Sequence, residues 1–494
     1  MSFTLRPYQQ KFADQIVKLL GSLKQIVACA ATGSGKTKTF IYLANRAHSK
    51  GFTVLILTEA SKIYRQLTGE IPDTGNIEAS VKDGFIQPGN VYVGMAQTLA
   101  RRPKMIAQFQ QIAAVGKLLI INDEAHIGTP TKLLQQFIPG AMLIGFTATP
   151  DFKFAKHLPL LYQGIVIGPQ PDELITDGFL CPYQHFARVS ANLDDLKIKN
   201  GEFTEESQQA VFESRKVYDG LITDLSTMPY RKAVIFTSSI KHCDDTFNEL
   251  HAAGITCIRV HSKVHAAEQS YDMAQFIDGP INICVSVGIL TKGWDFPAID
   301  LVILQRATTS RPLYLQMIGR GSRTSPGKST FTVLDYGGNY TRHGLWDAAV
   351  DWGKLWNTAP KKKDGVAPVK NCPECDYINP VSVTVCRNCG YNWQPLEPTR
   401  EDQEQTKLIE LTAAYRTLIG RKISSLQPHE LAMYARLKNK KPFAARVAKA
   451  ITQQVNPEYL EQYGAAMGYN SGWLWHATPK AGAEKIEFTD ITLR

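Results

Sequence analysis

The chain has no uninterrupted apolar run approaching the ~18–20 residues of a membrane span, and its opening, MSFTLRPYQQ, lacks a charged-then-apolar leader. Both absences predict a protein that meets no membrane and stays in the cytoplasm. No short fixed repeat is visible, which excludes solenoids and propellers. No PD…(D/E)xK array stands in surroundings suited to a nuclease. Cysteine is sparse, nine in 494 residues. Cys29, Cys181, Cys243, Cys257 and Cys284 are scattered, mostly in apolar runs, and read as reduced core residues.

What is there is an ordinary globular composition, 44% hydrophobic and 20% charged, long enough for several domains. The net charge of +10 favours a polyanionic partner. Residues 1–150 hold 16 Lys/Arg against 8 Asp/Glu, so the surplus is concentrated in less than a third of the chain.

Short apolar runs separated by amphipathic spacers mark the N-terminal part: QIVACA, TVLILT, VYVG, LLIIND and AMLIGFTATP. Runs of this length predict parallel strands buried on both faces. A Pro/Gly-marked connector, IGPQPDELITDGFLCPY, leads to a second series of the same rhythm: KAVIFTS, ITCIRVHS, NICVSVG, DLVILQR and STFTVLDYG. Beyond Asn339 the sheet signal stops, and from about 399 the text reads as helical.

Only the first module carries a phosphate loop, Ala30-Ala31-Thr32-Gly33-Ser34-Gly35-Lys36-Thr37, set between a strand and a helix. Glycines let backbone amides wrap phosphates at a helix start. Lys36 is expected to reach the β/γ-phosphates of ATP and Thr37 to hold Mg²⁺. Asp123-Glu124-Ala125-His126 closes the strand KLLIIN, where a second Mg²⁺-associated carboxylate (Asp123) and a water-polarising one (Glu124) are needed. Cys372, Cys375, Cys386 and Cys389 form two CxxC knuckles ten residues apart, a spacing suited to tetrahedral Zn²⁺.

DEAH at 123–126 and Thr147-Ala148-Thr149-Pro150, in that order, resemble motifs II and III of superfamily 2 helicases. In the second module Thr291-Lys292-Gly293-Trp294-Asp295 resembles motif V, and Gln316 through Arg323 matches the QxxGRxxR of motif VI. The resemblance implies two tandem RecA-like parallel-sheet domains, an ATP cleft between them, Arg323 as arginine finger and Arg320 as a second γ-phosphate contact. It implies that Gln316, Gly293 and Asp295 also belong to the nucleotide site. Tyr8-Gln9 resembles the adenine-reading element, with Gln9 as the reader. Nucleic-acid contacts are expected from Thr58, Arg65, Gln97, Thr98, Thr237, His261 and Thr291. Within the superfamily, FTLRPYQQ, ELITDGFLCPY, LDYGGN and a following cysteine cluster resemble RadD-like bacterial and phage helicases, which implies a DNA-dependent ATPase in recombination and repair.

The predicted organisation is an ATP-binding RecA-like domain over 1–170, a connector and second RecA-like domain over 171–345, a linker over 346–370, a zinc ribbon over 371–394 and a helical basic accessory domain over 395–494. The expected function is a DNA translocase or helicase acting on branched, forked or single-stranded DNA as a monomer, with a single-stranded-DNA-binding protein as a further partner. An RNA helicase, the motor subunit of a restriction or nuclease complex, and an ATP-gated clamp that does not move are the alternatives.

Overall fold

The computed structural model describes residues 4–59, 61–71, 75–77, 84–128, 130–137, 140–150, 157–188, 196–199, 201–214, 220–288, 296–357, 369–371, 378–380, 408–438, 440–469, 473–474, 477–478, 491 and 493. The first lobe is a seven-stranded sheet. Its strands are β1 (Gln25–Cys29), β2 (Thr53–Thr58), β3 (Gly75–Ile77), β4 (Val91–Met95), β5 (Leu118–Asn122), β6 (Met142–Thr147) and β7 (Gly164–Ile167). They lie in the order β3-β4-β2-β5-β6-β1-β7, and every pairing is parallel. Strands β1, β2 and β5 are buried at every position, as a sheet covered on both faces demands. One apolar layer, around Phe109, Ile120 and Phe137, fills one face of this sheet. The opposite face is filled around Phe12, Phe40 and Phe146.

The second lobe is also a seven-stranded sheet. It comprises β8 (Tyr183–Arg188), β11 (Ala233–Thr237), β12 (Cys257–Val260), β13 (Ile283–Ser286), β14 (Leu301–Gln305), β15 (Phe331–Asp335) and β18 (Leu408–Glu410). A hairpin of β9 (Ile198–Lys199) and β10 (Glu202–Phe203) and a hairpin of β16 (Val369–Asn371) and β17 (Ile378–Pro380) stand outside it. The order is β12-β13-β11-β14-β15-β8-β18, parallel except for β18, which runs antiparallel to β8.

Three expectations change here. The connector is itself structured: it runs from the last residue of β7 through the helix Pro171–Thr176 to the first residue of β8. The stretch after 345 is not a free linker up to residue 357. Trp346 and Trp352 are both 2% exposed, and the Trp352 indole donates to Gln170 Oε1 at 3.0 Å, so the segment straps back onto the connector. The tail does not begin as helix either. Residues 408–410 form β18, because the free edge of β8 offers them a row of backbone partners that no local pattern reveals.

After β18 the chain is helical, with Pro428–Leu437, Lys441–Gln454 and Tyr459–Met467 packed around Leu431, Val447 and Tyr463. Leu437 also joins Ala187, Tyr340 and Leu345 in a small core shared with the second lobe. Cys372, Cys375, Cys386 and Cys389 lie outside the described residues, as do Thr291, Gly293 and Asp295. Among the described residues no helix is long and apolar enough to cross a membrane. Among them, too, no group of three or more His, Cys, Asp or Glu gathers in a metal-holding arrangement.

Candidate active site

The phosphate loop leaves β1 at the C-terminal end of the first sheet and enters the helix Lys36–His48 at once. Gly33 and Gly35 sit at φ +84° and +76°, where a side chain is strained. Space forbids one as well. A Cβ on Gly33 would come within 2.9 Å of Leu180 and 3.1 Å of Ser322, and one on Gly35 within 2.4 Å of the Gln9 amide. Lys36 folds over its own loop, its Nζ donating to the Ala30 and Ala31 carbonyls at 3.3 and 3.2 Å. Ser34 Oγ is buried with no hydrogen-bond partner. A folded-back lysine, an orphaned hydroxyl and two glycine-only positions together form a cradle that fits a polyphosphate.

Strand β5 brings the acids to the same edge, and its neighbour β6 brings Thr147. Asp123 continues β5, its amide donating to the Leu57 carbonyl at 2.9 Å, and Glu124 then turns at φ +50°. It is the only non-glycine residue with positive φ among the described residues. Thr58, 1% exposed, donates its hydroxyl to Asp123 Oδ2 at 3.4 Å. Burial, with the charge of Glu124 beside it, lifts the Asp123 carboxyl above the usual carboxylate range. Burial pushes Glu124 up too, but the His126 imidazole beside it, then Lys36 and Arg320, outweigh it and hold Glu124 low. Burial also lowers the Lys36 amine, against the pull of both acids.

His126 ties these groups across the lobes. Its Nδ1 lies 3.0 Å from Thr147 Oγ1 and 3.2 Å from Glu124 Oε2, and its Nε2 lies 3.4 Å from the Gln316 amide nitrogen. The Glu124 contact has ion-pair distance without hydrogen-bond direction, since that oxygen finds no hydrogen-bond partner by geometry. An amide nitrogen can only donate, so Nε2 is the acceptor and the ring proton sits on Nδ1. The Thr147 hydroxyl in turn accepts from the Thr149 amide at 3.0 Å.

Gln316 is buried on the helix Arg311–Ile318, and Arg320 and Arg323 follow on the loop beyond it. Lysine, acids and arginines line one cleft of about 460 Å³ together with Thr32, Thr37 and Gln9. The lobes touch there: a Cβ on Gly319 would meet Thr32 at 2.6 Å. Thr37 and Asp123, the pair suited to Mg²⁺, both face this cleft. A Mg²⁺ held there would neutralise developing charge on the phosphates.

At the other end of the cleft Gln9 acts as a clamp on the loop. Its Oε1 accepts from the Arg6 amide at 3.0 Å, and its Nε2 donates to the Ser34 carbonyl at 3.1 Å. The Tyr8 hydroxyl donates to the same carbonyl at 2.9 Å. Sequence reasoning missed Phe179. This connector residue lies 4.7 Å from the Tyr8 ring, with the Arg6 guanidinium 5.1 Å over its face, and lines the cleft. An aromatic in a connector carries no motif, and only the chain's return to Tyr8 gives it a role.

The expected nucleic-acid residues separate into two groups. Arg65 and Gln97 are exposed and Thr98 is half-buried, although Gln97 donates to Glu59 at 3.2 Å. Thr58, Thr237 and His261 are buried, and each has polar partners within its own lobe. Thr58 serves Asp123, the Thr237 hydroxyl donates to the Ser286 carbonyl at 3.3 Å, and His261 Nε2 lies 3.1 Å from Asp244 Oδ1. At strand ends, threonine and histidine satisfy the sheet's own polar groups first.

The class follows from this fold and cleft together with what they match. The family described as "Type III restriction enzyme, res subunit" matches residues 2–152, and "Helicase conserved C-terminal domain" matches residues 215–325. The chain belongs to the superfamily 2 helicases: it is an ATP-dependent, nucleic-acid-binding enzyme with two RecA-like lobes. Among its relatives is the 51.5 kDa protein of Lactococcus phage (isolate 7-9), 27% identical over 369 residues, covering 73% of this chain and 76% of the relative. The Escherichia coli type I restriction enzyme EcoAI endonuclease subunit is 24% identical over 375 residues, 67% of this chain but only 46% of that one. A solved fragment assigned as an HsdR subunit of a type I restriction enzyme from Vibrio vulnificus YJ016 shares the fold, with a TM-score of 0.54 at 23% identity over 69% of this chain and 65% of that one.

Proposed function

We propose that the protein is a DNA translocase that couples ATP hydrolysis to strand separation or branch migration in recombination, repair or replication. The observation that supports this reading is the shared cleft: Lys36, Asp123 and Glu124 from one lobe face Arg320 and Arg323 from the other. An arginine that completes the site only across a seam makes hydrolysis depend on how the lobes meet, and lobe movement is then the output. In this reading Lys36 and the amides of Thr32–Thr37 bind the phosphates, Thr37 and Asp123 hold Mg²⁺, and Glu124 orients the attacking water. Arg323 is the finger, Arg320 a second phosphate contact, and Gln316 reports closure through His126. Gln9 supports the loop from beside the base, and Gly293 and Asp295 belong to the same site by motif.

Cys372, Cys375, Cys386 and Cys389 bind zinc in this reading, on the strength of their spacing alone. Arg65, Gln97, Thr98 and Thr291 contact nucleic acid. The likeness to RadD-like helicases supports DNA over RNA, a monomeric cytoplasmic enzyme, and a single-stranded-DNA-binding protein as a partner. The second reading is the motor subunit of a restriction complex, favoured by the names of the EcoAI and Vibrio relatives. It requires a nuclease from outside these 494 residues.

One experiment separates the readings: ATPase stimulation by single-stranded DNA, forked DNA and RNA, followed by strand displacement on the forked substrate. Stimulation by forked DNA with displacement is expected. Stimulation by RNA alone overturns the DNA reading, and DNA stimulation without displacement favours the restriction motor.

A further inference from the structure

One cation near the arginine loop touches neither the cleft nor a carboxylate at bonding distance. Lys328 is half-buried, and its ammonium nitrogen lies within hydrogen-bond distance of four backbone carbonyls from two separate segments, which its three N–H groups share. Pro297 (3.1 Å) and Ile299 come from the stretch that follows the Thr291–Asp295 motif in sequence. Gly321 and Arg323 (2.9 Å) come from the arginine loop itself. The amine also lies 5.6 Å from the centre of the Phe331 ring.

The arginine loop is held on its other side by the connector. The Cys181 amide donates to the Ser322 carbonyl at 2.7 Å, the Cys181 thiol donates to the Arg323 carbonyl at 3.4 Å, and Leu180 bridges Arg323. Arg323 is thus gripped between connector and ammonium. Neither grip touches its guanidinium.

We propose that Lys328 is a positioning residue for hydrolysis: its ammonium group straps the arginine loop to the Pro297–Ile299 segment and so sets where Arg323 meets the phosphates. The proposal rests on the arginine-finger reading above. An ammonium brings three N–H donors to these carbonyls, whereas a neutral amine brings two and no charge. Burial lowers this amine to about 8. Cys181 and Asp300 work against that shift, and Arg231 and Arg323 work with it. The charged strap is therefore complete below that pH and lost as pH rises through it. Misplacing a reacting group by an ångström costs up to ~10²-fold in rate, so the strap acts on turnover rather than on ATP binding.

The test is steady-state ATPase of the full chain with saturating single-stranded DNA, from about pH 6.5 to 9.5. The wild type is compared with Lys328→Met, Lys328→Arg, Cys181→Ala and Arg323→Ala. Lys328→Met is expected to lower kcat by ~10-fold or more with KM for ATP within about 3-fold of wild type. The wild-type kcat falls above about pH 8, the fall persists in Cys181→Ala, and Lys328→Arg keeps its turnover across the range because guanidinium does not titrate there. A Lys328→Met enzyme with wild-type kcat, or a wild-type profile flat between about pH 7.5 and 9.5, overturns the strap. If Lys328→Met does not fold, the profiles of wild type and Lys328→Arg decide alone. Normal hydrolysis by Arg323→Ala would defeat the finger reading, whereas an inactive Arg323→Ala beside a normal Lys328→Met defeats only the strap.

Discussion

Gly33 and Gly51 share a left-handed backbone, at φ +84° and +75°, but differ in what surrounds them. Gly51 has open space, while a Cβ on Gly33 would press on Leu180 of the connector and Ser322 of the opposite lobe. Alanine at either position carries the backbone strain of roughly 1 kcal/mol. Only at position 33 is a clash across the seam added, and we expect Gly33→Ala to lose about 1–3 kcal/mol more than Gly51→Ala. Thermal unfolding of the two variants compares them directly, and equal shifts would mean the lobes are not in contact there. The same scale shows what the sequence could disclose. Lys36, Asp123, Glu124, Arg320 and Arg323 stand in contiguous motifs whose spacing is chemistry. Phe179 and Lys328 act through partners more than a hundred residues away or through backbone carbonyls, which leave no mark in the order of letters. Thr237 and His261 carry internal partners that the motifs did not disclose: position in a motif does not say whether a hydroxyl or imidazole is already engaged within its own lobe.

At the scale of elements, apolar runs identified β1, β2, β5, β6, β11, β14 and β15, since each is apolar enough to need cover on both faces. They did not identify β18, whose letters Leu408-Ile409-Glu410 fit a helix as well as a strand until the edge of β8 is present. That strand fastens the helical tail to the second lobe. The small core around Leu437, Tyr340 and Leu345 seals the junction, with the Leu345 amide donating to the Leu437 carbonyl at 2.7 Å. Leu437→Ala should cost about 2–4 kcal/mol. It should lower the unfolding temperature of lobe and tail together. Loss of the tail's cooperativity alone, with the lobe's transition unmoved, would show the two to be independent units.

Across the whole molecule, the +10 charge and its concentration in residues 1–150 predict nucleic-acid binding dominated by phosphate contacts. Affinity should fall linearly on a log–log plot against salt, with a slope of about −0.7 per phosphate for a single strand. A salt-insensitive affinity would shift the weight to stacking. The lobes' mutual arrangement was legible only as a deduction, because two motif sets on separate modules make chemical sense together and not apart. The strap of Trp346 and Trp352, which returns the chain from the second lobe to the connector, was not legible at all.

The central claim is that one ATP is gripped by Lys36 from the first lobe and completed by Arg323 from the second. Single-turnover hydrolysis with nucleic acid bound, measured beside ATP affinity for Arg323→Ala and Lys36→Ala, tests it most directly. The account predicts that Arg323→Ala binds ATP nearly as wild type but hydrolyses it ~10³-fold or more slowly, while Lys36→Ala loses hydrolysis and still binds nucleic acid. Hydrolysis at the wild-type rate by Arg323→Ala would contradict it.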